Sequence, residues 1–249
     1  MQPNYFTADV IDLEAYDEVA EKGKLFTGDW DGDESQGACC GLSAAVGPSQ
    51  SACEEVGMPS WLIYLYVSVF DYATDGDWAA QASEQSTRIG RDLLKAFIKG
   101  ANSSVDWACI RVDIYNKVLL PVLLELIKDF PQSLKVLQQK GDHVPDELVK
   151  DAVQDGEDLT AVLTRWQDRD YVFNFELCAE FQQLKQDITR RWRPYPDVPS
   201  QKKFIGCALD DDLHPVIALS HSLVGAAETK KLAQHVSDEL IKIIDNHAN

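Results

Sequence analysis

The chain has 249 residues, 45% hydrophobic and 26% charged, with 41 acidic residues against 23 basic ones and a net charge of −18. This composition excludes a disordered or collagen-like chain, and a chain of this length buries roughly 70–75% of its unfolded surface without disulfide or metal staples. The acidity also argues against nucleic acid and anionic membranes as partners, because both are bound by Lys and Arg that displace counterions.

Apolar residues recur with a helical period along the chain, and no segment alternates as a strand would. The N-terminus carries no basic stretch followed by an apolar one, so a secretory signal is not expected and a reducing cytosol is the expected location. Thr7 is placed to cap a first helix with Phe6 and Ile11 as its hydrophobic staple, and Gly23 to end it in a left-handed cap. Residues 27–34 read as a loop, 37–46 as a short closely packed helix, and 51–56 as one further turn. Pro59 suits the first turn of a helix over 61–72 that is apolar on nearly every face and therefore central. The ten-residue apolar runs 61–70 and 118–127 are both too short for a bilayer, which needs about 20 residues.

A helix over 78–99 follows, closed by Gly100. A long helix over 105–128 is expected to kink at Pro121, which has no N–H to give. Shorter helices begin at Pro131, Pro145 and Glu157, with Gly141 and Gly156 as stops. A helix over 171–192 ends in three arginines. Residues 193–201 contain Pro194, Pro196 and Pro199 and read as a rigid connector. Apolar helices over 204–209 and 214–224 precede a terminal amphipathic helix over 226–244. The expected fold is therefore all-α, an irregular multi-helix bundle or a degenerate helical-hairpin array of about 10–12 helices. The expected organisation is one domain over 1–249, with a sub-division into a main body, 1–193, and a C-terminal segment, 201–249. Trp61, Leu62, Leu65, Phe70, Leu94, Phe97, Leu120, Leu123, Leu124, Phe173 and Leu177 are its expected core.

Charge is uneven: residues 1–34 hold ten acids against Lys22 and Lys24, and residues 208–249 hold seven against three lysines. Asp29-Trp30-Asp31-Gly32-Asp33-Glu34 invites a calcium reading, because a hard cation takes oxygens at alternate positions. An EF-hand would need Gly and Glu where Glu34 and Cys40 stand, so no metal is expected there. Asp210-Asp211-Asp212 is similar to the magnesium motif of helical isoprenoid enzymes, but His214 replaces its last aspartate and no second motif exists. His214 and His221 share a helical face without an adjacent His-Asp pair. Glu176 and Glu180 lack the Glu-x-x-His partners of a di-iron bundle. The six cysteines, Cys39, Cys40, Cys53, Cys109, Cys178 and Cys207, form no C-x-x-C pair, and Cys109, Cys178 and Cys207 read as small buried hydrophobes. No hydrolase, phosphate-loop or dinucleotide motif is present.

The stretch Met58-Pro59-Ser60-Trp61-Leu62 through Phe70, then Trp78, then Leu93-Leu94-Lys95-Ala96-Phe97-Ile98-Lys99-Gly100 resembles helical bacterial immunity proteins. The resemblance implies an acidic cytosolic protein without cofactor that neutralises a toxin by direct binding. The expected function is capture of a basic protein partner, a toxin effector domain. Acids at Asp29, Asp31, Asp33, Glu34, Asp210, Asp211 and Asp212 would steer the encounter, and Trp30 would anchor the complex. The alternatives are a metal-dependent helical enzyme using the Asp-rich loops, and a helical scaffold or adaptor.

Overall fold

A computed structural model describes residues 6–27, 40–74, 80–139, 144–165, 183, 187, 190 and 226–249. Among them all regular structure is helical, apart from one isolated antiparallel bridge between Phe26 and Gln81. No described helix is long and apolar enough to cross a membrane. The chain forms two units, one of Met1–Ile114 with Val224–Asn249 and the other of Tyr115–Leu223.

In the first unit the opening helix comes in two pieces. Ala8–Val10 is a single 3-10 turn, and Thr7 makes no side-chain cap to it. Helix α1 (Leu13–Glu21) starts after Asp12, whose carboxylate accepts from Ala15 N at 2.9 Å. The expected cap was thus at the wrong residue, because Asp12 offers a charged acceptor at the helix's positive end. Phe6 and Ile11 are both buried. Gly23 takes φ 63° as the left-handed cap. Two short helices follow, α2 (Gly41–Ala45) and α3 (Gln50–Glu55), the latter capped by Ser49.

Helix α4 (Ser60–Tyr72) buries eight of its thirteen residues, from Trp61 to Phe70, as its apolar surface requires. Helix α5 (Glu84–Asn102) begins later than the sequence suggested, because Ser83 caps it and residues 80–82 run extended beside Leu25–Thr27. The corner between α4 and α5 is a closed polar network. Ser86 Oγ donates to the Phe70 carbonyl at 2.7 Å and shares a 2.6 Å bond with Thr74 Oγ1, and Ser83 Oγ donates to the Ala73 carbonyl. Every one of these hydroxyls is satisfied, so the bonds offset the cost of taking Thr74 and Ser86 out of water. Gly100 does not stop α5. A Cβ there would stand 2.8 Å from Trp107 Cη2 and 3.2 Å from Ile244 Cγ2, so this glycine lets an indole and a second helix close on α5. The chain turns instead at Ser104, with φ 54°.

Helix α6 (Trp107–Ile114) and the C-terminal helix α9 (Ala226–His247) complete the unit. Phe6 stacks on Trp107 at 5.2 Å between ring centroids, and Phe97 meets Trp107 edge-on at 6.2 Å. The sequence period selects Leu232, Val236, Leu240, Ile243 and Ile244 as the inward face of α9; the last four are buried together with Ala233, and Leu232 is half-buried. Arg88 bonds Gln234, and Lys99 bonds Asp245 at 2.7 Å. Both pairs are eleven residues apart on each helix, so α5 and α9 run parallel over about 16 Å. Parallel neighbours cannot be joined by a tight loop, and the chain returns only after the whole second unit. The expected core residues Trp61, Leu62, Leu65, Phe70, Leu94 and Phe97 are all buried here.

The second unit opens with a π turn, Tyr115–Leu119, that leads into α7 (Leu120–Gln139). The helical backbone runs without a break from Trp107 through this π turn to Gln139, so Pro121 lies inside a long helix as expected, directly after a π segment of the kind that accommodates a residue without an N–H. Pro131 lies within α7 and does not start a helix. Helix α8 (Asp146–Arg165) runs through Gly156 and Glu157, both expected as a boundary. Gln138 Nε2 bonds the Val144 carbonyl at 2.6 Å and Asp146 at 3.1 Å, and Gly156 meets Ile127. These contacts make α7 and α8 an antiparallel hairpin. Leu120 is buried and Leu124 half-buried. Of the helix expected over 171–192 only residues 183, 187 and 190 are described, each of them helical; Phe173, Leu177, the connector 193–201, the helices expected over 204–209 and 214–224 and the side chain of Leu123 lie outside the described residues.

Candidate functional site

Asp29, Trp30, Asp31, Asp33, Glu34, Asp210, Asp211 and Asp212 lie outside the described residues, as do Glu176, Glu180, His214 and His221. The acidic surface of the described chain begins earlier, at Asp9 and Asp12, and continues along α1. Glu14, Glu18 and Glu21 are exposed on α1 at helical spacings of three and four, opposite the buried Tyr16. Lys22 bonds Glu18 at 3.2 Å with both side chains largely exposed. Asp17 is clamped by Arg91 through two bonds of 2.6 Å each. The guanidinium bond holds the Asp17 carboxyl below its ordinary value of 3.8 and raises the Arg91 value in return.

This clamp and a buried phenol fix α1 on α5. Tyr16 Oη donates to the Thr87 carbonyl at 2.8 Å, and burial raises its pKa. Tyr66 Oη, fully buried beside it, has no hydrogen-bond partner at acceptable geometry among the described residues. The Tyr66 hydroxyl fits only because Gly41 and Gly90 lack side chains: a Cβ on Gly90 would stand 2.6 Å from it. The acidic helix is thus mounted on a rigid aromatic core.

Cys40 and Cys53 are buried, and burial pushes their thiols up to about 11 and about 12. Both are neutral near pH 7 and poor nucleophiles. Cys109 is exposed, not buried as its apolar sequence context suggested. Its Sγ donates to Asp106 at 3.4 Å. Burial pushes Asp106 up, but the bonds from Cys109 Sγ and from the Cys109 and Ala108 N–H groups outweigh it, so its value is lowered. His247 bonds Asp113 at 3.0 Å and joins α9 to α6, whereas His235 is exposed. Among the described residues no three His, Cys, Asp or Glu side chains are grouped to hold a metal ion.

The second unit carries a groove of 870 Å³ between α7 and α8. Leu124, Ile127 and Pro131 line it from α7, and Val153, Gly156 and Ala161 from α8. Gly156 explains the close approach, since a Cβ there would meet Ile127 Cγ2 at 3.3 Å and the Ile127 carbonyl at 3.5 Å. Pro131 has no N–H to offer that carbonyl. The groove was missed in the sequence because Gly156 was read as a stop. Its signal is the small-residue spacing Ala152, Gly156, Thr160, one turn apart on α8. No protein-family model matches the chain, and no curated protein or solved structure does either.

Proposed function

We propose that the chain is an acidic protein-binding protein of the inhibitor type, which captures a basic partner by direct contact. The observation that supports this reading is the placement of charge. Exposed acids run from Asp9 and Asp12 to Glu14, Glu18 and Glu21 of α1, a helix fixed by a bidentate Arg91–Asp17 pair and a buried tyrosine. The excess continues in sequence through Asp29, Asp31, Asp33 and Glu34, in a chain of net charge −18. Mutual repulsion of these acids favours any basic surface that neutralises them, and their field speeds its approach. A rigid mount lowers the ordering cost of the complex. In the immunity form of this reading, the partner is a toxin and binding covers its active surface.

The test is affinity capture from the source cells with the wild-type chain and with a Glu14→Gln/Glu18→Gln/Glu21→Gln variant, followed by identification of the bound proteins. Capture of a basic polypeptide by the wild type, much reduced in the variant, supports the proposal. Co-expression then asks whether the chain suppresses that polypeptide's toxicity. A partner that is neutral or acidic, or is held equally by both proteins, contradicts it.

A further inference from the structure

We draw no further inference here: the strongest candidate, the apolar groove between α7 and α8, sets Glu125 and Glu157 against Lys128 and Lys135 along its edges, and nothing in the structure shows what covers it.

Discussion

Replacing Gly90 by Ala sets two effects of known size against each other. In an exposed helix the change stabilises by about 0.8–1.0 kcal/mol, because glycine has more backbone freedom to lose. Here the new Cβ would lie 2.6 Å from Tyr66 Oη, 2.7 Å from Tyr16 Oη and 2.9 Å from Phe70 Cδ2. All three rings are completely buried, and Tyr16 is tied to the Thr87 carbonyl of the same helix. None can swing away as a flexible side chain would. Overpacking of this kind costs about 1–3 kcal/mol, and three simultaneous contacts place it at the upper end, so the net loss is about 1–2 kcal/mol. Urea unfolding followed by circular dichroism measures it. The same change in a Tyr66→Phe background removes the closest clash and is expected to cost less, with a coupling of at least about 0.5 kcal/mol in the double-mutant cycle. A Gly90→Ala protein as stable as the wild type, or more so, would refute the packing described for α4, α5 and α1.

Tyr66→Phe alone is expected to be neutral or stabilising, since it removes a buried hydroxyl with no well-formed hydrogen bond among the described residues, a group whose desolvation costs about 1–3 kcal/mol; a loss above 1 kcal/mol in the same urea assay would mean that the hydroxyl is bonded. For Asp17, a folded-state value below the ordinary 3.8 means that its contribution is present above that pH and is lost as pH falls through the lowered value. Both partners are over a third exposed, so screening limits the pair to about 0.2–1 kcal/mol. The stability gap between wild type and Asp17→Asn should accordingly close below pH 3.8, and a gap independent of pH would contradict the assignment. Replacing residues 115–223 with a Gly/Ser linker should leave the first unit folded. Asp113 meets His247 at one end of α9, and Ala226 at the other is about 31 Å away, a span that about 30 flexible residues cover. A non-cooperative melt of that protein would show that the first unit depends on the second.

The sequence period located α4 and α9 to within a few residues, α4 because it is apolar on nearly every face and α9 because one apolar stripe, buried except for the half-buried Leu232, runs along it. Helix starts were less legible. Thr7, Asp12 and Ser83 are all acceptable caps in isolation, and tertiary contacts decide among them: Phe6 on Trp107 for the first turn, and the extended stretch against Leu25 for α5. Glycines misled most. Gly100 and Gly156 look like helix stops, yet both sit inside helices where another element comes close, a condition set by residues far along the chain. Pro131 misled in the same way, as an apparent helix start that lies within α7. Of the candidate site, overall acidity was legible from composition, and the charged face of α1 follows from the spacing of Glu14, Glu18 and Glu21. The groove was not, since it depends on the pairing of α7 with α8. The parallel pairing of α5 with α9 was equally hidden, because no local pattern links residues 146 positions apart.

The most direct test of a charge-steered inhibitor is its association rate with the captured basic partner, measured by stopped flow from about 0.05 to 0.5 M salt. The screening length over this range falls from above to well below about 10 Å, its value at 0.1 M. The wild-type rate should fall at least tenfold with added salt, and the Glu14→Gln/Glu18→Gln/Glu21→Gln rate should start lower and change less. Dissociation should be nearly the same for both proteins, because exposed charges act mainly on the encounter. An association rate that is indifferent to salt, or equal in the two proteins, would contradict the assignment of this acidic face to partner capture.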